Sequence, residues 1–225
     1  MIYVNVPYAT AECGQNIGCA YNKFMELVPG DNDWACFLDH DAMFTTDTWM
    51  TQLTDIINRH PNISAFGARA NRVGYSWQLV GNIDIDNNDI KYHREIGHQL
   101  QKKYYDKVSI GATFELPNSP PSKFSGNLIS EPRFSGTLIL VKKSTWNAIG
   151  GFKTSGFLEV DDDFRKRLSQ HNLGFGIMDG VYLYHWYRAD DPYETSAPML
   201  NKVRTQYTKF SQKNKFDLDK ITLLR

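Results

Sequence analysis

Five apolar residues run without a break from Trp34 to Leu38, and the chain then turns abruptly acidic at Asp39-His40-Asp41. A run this short and this apolar reads as a strand covered on both faces, as in a sheet held between helices. Its flanks agree. Residues 2–6 are β-rich and stop at Pro7-Tyr8. Ile17, Tyr21, Phe24, Met25 and Val28 fall at helical spacing before Pro29-Gly30. Asp47 stands where it can cap a second helix with the inner stripe Trp49, Leu53, Ile56 and Ile57, and residues 63–66 read as a further strand. Strands alternating with helices predict an α/β fold: a Rossmann-like, mostly parallel central sheet with helices on both faces. In such sheets ligands bind beyond the carboxyl ends of the strands, where Tyr8 and Asp39 both fall.

The alternation weakens over residues 70–133, where Pro117, Pro120 and Pro121 and the polar stretch 84–89 interrupt it; one helix is expected near residues 92–105. Regularity returns with a strand over 134–141, a short helix capped by Ser144 and ended by Gly150-Gly151, and a helix over 161–171. Strands follow over 175–178 and 181–185. This places one domain over residues 1–190, with 70–133 as an insertion, and a basic, helical tail over 191–225.

Net charge is zero, so nothing global steers the chain toward nucleic acid or an anionic membrane. Locally the balance is uneven. Between Phe24 and Asn58 there is no Lys or Arg but seven acids, and such a segment centred on a strand end attracts a cation. Cys13, Cys19 and Cys36 show no metal-binding spacing and read as reduced structural residues; with no signal-like N-terminus and no membrane-length apolar run, the expected location is cytoplasmic.

Three groups of residues carry chemistry. Asp39 and Asp41 would point the same way if the strand persists, and two carboxylates suit a hard cation such as Mg²⁺ or Mn²⁺; a solvated loop is the plainer alternative. Asp161-Asp162-Asp163 offers a general base for an acceptor hydroxyl, although the dipole of a helix start also favours acids there. His185 closes another apolar run and would complete a carboxylate site, shifting the preference toward Mn²⁺, or it is simply structural. Arg188 lies three residues on, with a planar fork suited to phosphate.

In this order the pieces resemble family 2 glycosyltransferases of the GT-A fold. Asn16-Ile17-Gly18, Asn22 and the run from Trp34 to Asp41 resemble that family's N-x-G, Asn and D-x-D elements. Phe134-Ser135-Gly136-Thr137 through Gly150-Gly151-Phe152 resembles its "SG … GGF" segment, and Asp161-Asp162-Asp163-Phe164 with Arg167 resembles its acidic helix start. The likeness covers residues 1–68 and 134–188. It departs where Val160 replaces a Glu and where an early nucleotide-binding Asp has no counterpart, so the chain resembles a shortened form.

The resemblance implies sugar transfer from a nucleotide-sugar donor, UDP-linked, to a hydroxyl of a glycan, protein, lipid or other acceptor, with inversion. Asp39, Asp41 and His185 would hold the metal, Asp39 also reaching the ribose. Asp161, then Asp162, would be the base. Pro7 and Tyr8 would contact the nucleotide, Ser135 and Gly136 would line the cleft, and residues 70–133 would lie on the acceptor side. Two other readings compete. One is a haloacid-dehalogenase-like phosphatase with Asp39 as nucleophile and Lys142 and Asp161-Asp162 in support. The other is a nucleotide- or sugar-binding module without turnover.

Overall fold

The computed structural model describes residues 1–14, 16–73, 75, 78–110, 134–155 and 159–186, and the backbone of 222–223. Seven strands form one open, mixed sheet: β1 (Ile2–Asn5), β2 (Trp34–Leu38), β3 (Ala42–Phe44), β4 (Ile63–Ala70), β6 (Val108–Ile110), β7 (Leu138–Lys142) and β8 (Gly174–His185). β5 (Val80–Gly81) pairs separately with β9 (Thr222–Leu223). The helices are α1 (Ile17–Leu27), α2 (Trp49–Arg59), α3 (Ile90–Tyr104), α4 (Lys143–Ile149) and α5 (Val160–Gln170).

The sheet order is β1-β2-β7-β4-β8-β3, with β6 and β3 sharing the outer edge of β8. β1, β2, β4 and β8 run one way; β7, β3 and β6 run against them. The carboxyl ends of β1, β2, β4 and β8 therefore lie at one edge of the sheet. The amino end of the antiparallel β7 lies there too, since Leu38 is paired with Leu138.

Period-two burial explains why helices cover both faces. Trp34, Cys36 and Leu38 of β2 enter one core with Leu138 and Leu140 of β7, beneath Leu53 and Ile56 of α2 and Ile96 and Leu100 of α3. Ala35 and Phe37 enter the other with Ile139 and Val141, beneath Tyr21 and Met25 of α1, Ile149 of α4, and Phe164 and Leu168 of α5. Each fully buried Leu, Ile or Phe contributes about 1.5–3 kcal/mol, so the two layers dominate the stability.

Several expectations are corrected. Asp47 does not cap α2; its carboxylate is bound by Arg94 of α3, and Thr48 occupies the cap position without a side-chain cap bond. Ser144 lies inside α4, whose cap position is Lys142. β7 starts at Leu138 rather than residue 134. Residues 174–185 form one strand rather than two: Asp179 does not interrupt it because Arg69 pairs with its buried carboxylate and Ser109 Oγ donates to both its oxygens. Cys13 and Cys19 are joined in a disulfide, because a 3₁₀ turn over Ala11–Cys13 and the Asn16 cap fold the chain back until their Cα atoms are 5.5 Å apart. The cysteines thus lend no support to a reducing compartment; Cys36 alone is a free thiol, and burial pushes it up to about 12. Among the described residues no helix is long and apolar enough to cross a membrane. The helix expected near 201–211, residues 111–133 of the insertion, and Arg188 lie outside the described residues.

Candidate functional site

Asp39 follows β2 directly, but the strand does not persist through Asp41. Ala42 N–H donates to the Asp39 carbonyl at 3.1 Å, closing a turn, and β3 then pairs antiparallel with the end of β8. Ala42 sits opposite His185, and Trp186 N–H donates to the Asp41 carbonyl at 2.8 Å. The turn and the pairing, rather than alternation along a strand, bring the groups together. Asp39, Asp41 and His185 each offer a ligand atom within 4.8 Å of the others.

The histidine's tautomer follows from its partner. His185 Nδ1 is 2.6 Å from the Arg72 carbonyl, which can only accept, so Nδ1 carries the hydrogen. Nε2 is 3.2 Å from Asp41 Oδ1 and 3.9 Å from Asp39 Oδ2. A bare nitrogen lone pair facing two carboxylates is repulsive, so the arrangement needs a proton on Nε2 or a cation among the three groups. A carbonyl holding one nitrogen while the other faces carboxylates is the arrangement of a metal-ligating histidine. The residues present fit a divalent cation on this chemistry. Burial works to raise Asp41, but the hydrogen bond and charge of His185, with His40, outweigh it and hold the carboxyl below its usual range.

The second carboxylate arm comes from α5. Its three aspartates divide. Asp163 pairs with Arg167, which also donates to the Gly151 carbonyl at 2.9 Å. Asp162 accepts from the Tyr75 hydroxyl at 3.4 Å. Asp161 reaches toward the sheet and accepts from Gly136 N–H at 2.7 Å. Protein surrounding the Asp161 carboxyl raises it to about 7; the Gly136 hydrogen bond pulls the other way, and the charges of Asp39 and Asp162 add to the rise. The buried Tyr21 phenol is likewise raised, by burial first and then by Asp161 and Asp39. Asp39 and Asp161 thus share one electrostatic neighbourhood.

Between the two arms lie Ser135, Gly136 and Thr137. The Thr137 carbonyl accepts from Asp39 N–H at 3.1 Å, while Gly136 holds Asp161. A Cβ on Gly136 would lie 2.6 Å from Asp161 Oδ1, so glycine here makes room for the aspartate. Pro7 and Tyr8 follow β1 at the same sheet edge, and Tyr8 is 82% exposed.

Other pieces of the expected pattern are frame. Asn16 caps α1 by accepting from Cys19 N–H, and a Cβ on Gly18 would meet the Lys153 carbonyl at 2.0 Å. Asn22 accepts from Phe152 N–H and Trp146 Nε1, each at 2.8 Å, and donates to the Phe152 carbonyl at 2.9 Å. Gly150 and Gly151, both at positive φ, turn the chain so that Phe152 meets Asn22. The two motifs therefore bind each other.

Sequence reading missed the residues that brace the site. Asn71 Oδ1 accepts from His185 N–H at 2.7 Å, and Arg72 donates to the Trp186 carbonyl at 2.9 Å and to the Ile85 carbonyl at 2.7 Å. Gln78 grips Ser135. All lie in the stretch assigned to an insertion. The one available signal was that polar residues cluster where β4 reaches the carboxyl edge. No protein-family model matches the chain, and no curated protein matches it by sequence.

Proposed function

We propose that this chain is a metal-dependent glycosyltransferase of GT-A type that moves a sugar from a nucleoside-diphosphate donor, UDP-linked, to an acceptor hydroxyl with inversion. The observation that carries this reading is the juxtaposition of two carboxylate arms at one sheet edge. One is an Asp39/Asp41/His185 cluster suited to a cation; the other is a separate aspartate, Asp161, whose proton affinity is matched to neutral pH.

In this reading Asp39, Asp41 and His185 hold Mn²⁺ or Mg²⁺, which when bound neutralises the diphosphate leaving group. Asp161 accepts the acceptor's proton as the acceptor oxygen bonds to the anomeric carbon and the carbon–oxygen bond to the diphosphate breaks. A base near pH 7 is well matched to that task. Asp162, bound by Tyr75, is the second candidate. Pro7 and Tyr8 flank the nucleoside, with the exposed Tyr8 ring free to stack on a base. Ser135 and Gly136 line the cleft between the arms, and Arg188 is assigned to the donor's phosphates.

The phosphatase alternative loses its lysine. Lys142 is paired with Trp34 at the start of β2, five residues from Asp39, or roughly 16 Å along the strand.

A thermal-shift screen of nucleotide sugars, with and without Mn²⁺, tests the proposal, because a ligand of the folded state raises its apparent stability by mass action. One donor class should stabilise the protein only when the metal is present, and should then be consumed when acceptor hydroxyls are supplied. Stabilisation by sugar phosphates alone, with a phosphoenzyme trapped on Asp39, would favour the phosphatase.

A further inference from the structure

We propose that Gln78 is a positioning residue that sets the orientation of the Ser135–Gly136 peptide and, through it, the placement of Asp161. Gln78 is fully buried, and its amide brackets one residue: Oε1 accepts from Ser135 N–H at 2.6 Å, and Nε2 donates to the Ser135 carbonyl at 3.3 Å. Nε2 also donates to the Ala68 carbonyl at 3.3 Å, which anchors the bracket to β4. The Ser135 carbonyl and the Gly136 N–H belong to one planar peptide and point in opposite directions. Fixing the carbonyl toward Gln78 therefore fixes the N–H toward Asp161, whose Oδ2 it meets at 2.7 Å. No bond joins Gln78 to Asp161 directly; the rigid peptide transmits the constraint. A peptide flip here would remove the donor from Asp161 and turn a carbonyl oxygen toward its carboxylate.

The geometry stands on its own, while its consequence for turnover rests on the transferase reading. The test therefore has two readouts. In ¹H–¹⁵N spectra of the metal-free protein, the Gly136 amide proton, bound to a carboxylate, should lie downfield and exchange slowly; Asp161→Asn supplies the reference for a weakened bond. Gln78→Met should move the Gly136 resonance upfield toward the Asp161→Asn position and speed its exchange, while Mn²⁺ affinity at Asp39, Asp41 and His185 stays within about twofold. In the transfer assay kcat should fall roughly 10- to 100-fold, the cost of a misplaced reacting group, with KM for the donor little changed. If Gln78→Met does not fold, Gln78→Glu decides, since it keeps the acceptor for Ser135 N–H and loses only the Nε2 donor shared by the Ser135 and Ala68 carbonyls. An unmoved Gly136 resonance in a folded variant overturns the proposal, as does unfolding of both variants, which would make Gln78 an anchor of the fold. Absence of sugar transfer by the wild type would defeat the functional reading while leaving the spectral result to judge Gln78.

Discussion

Ala42 sits opposite His185 across the β3–β8 pair, and this register carries Asp41 Oδ1 to 3.2 Å from His185 Nε2. The two residues are separated by most of the chain, and they come from a turn and from a strand end. Their approach is determined on both sides: the Arg72 carbonyl fixes the imidazole, and Trp186 N–H fixes the Asp41 backbone. Such double bracing fixes the pair through the surrounding backbone rather than through their own contact alone.

Asp161 should trade stability for activity. Its carboxyl is raised to about 7 in the fold, against about 3.9 in an unfolded chain. Between those values the folded state keeps a proton that the unfolded state has released. Its contribution to stability is therefore greatest in acid, declines as pH rises from about 4 to about 7, and is flat above. Asp161→Asn, measured with chelator present, should lose that decline and be more stable than the wild type at pH 8. Its transfer rate should drop by about 10²- to 10⁴-fold, the range typical of a lost general base. In the wild type the rate should rise with pH through a midpoint at or below about 7, since a bound cation nearby can only lower it. Urea melts across pH and pH–rate profiles supply both checks; a rate that is independent of Asp161 removes it from the reaction.

Gly136→Ala should separate the two arms. The added Cβ would lie 2.6 Å from Asp161 Oδ1 and 2.8 Å from Oδ2, so the carboxyl must move. Activity should fall by roughly 100-fold. Mn²⁺ affinity should hold, because the atoms nearest the added Cβ all belong to Asp161. Parallel metal-binding and kinetic measurements read this out, and a loss confined to metal binding would contradict it.

Asn22 should matter for folding and not for chemistry. Its side chain makes three hydrogen bonds, two to the Phe152 backbone and one to Trp146. Asn22→Leu would leave those groups without partners and should cost about 2–4 kcal/mol in denaturant melts. The surviving folded fraction should bind Mn²⁺ normally. A neutral effect on stability would mean the contact between α1 and the Gly150-Gly151-Phe152 turn is dispensable.

Much of the frame was legible because burial alone dictates it. The unbroken apolar run Trp34–Leu38 is β2 residue for residue, the apolar spacing from Ile17 to Val28 and from Trp49 to Ile57 marks α1 and α2, and the helix expected over 161–171 is α5 shifted by one residue. What stayed hidden depends on partners distant in sequence. Asp179-Gly180 reads as a break, but Arg69 and Ser109 neutralise and satisfy the aspartate inside β8. β3 and β6, three residues each and only partly buried, carry no periodic signal, and both exist because β8 offers an open edge. In the site, Asp39, Asp41 and His185 were visible as polar residues ending apolar runs. Arg72 and Gln78 were not, because Arg72 acts through its own carbonyl on the His185 ring and its guanidinium on the Trp186 carbonyl, and Gln78 through the Ser135 backbone, which no local pattern announces.

Calorimetric titration of Mn²⁺ into the protein, alone and with UDP, decides whether Asp39, Asp41 and His185 hold a divalent cation that grips a diphosphate. A metal site there gives one Mn²⁺ per wild-type chain, tightened by UDP, and at least ~100-fold weaker binding in Asp41→Asn and in His185→Ala with the fold intact. Equal Mn²⁺ affinity in wild type and both variants, or no binding by the wild type even with UDP present, would contradict it.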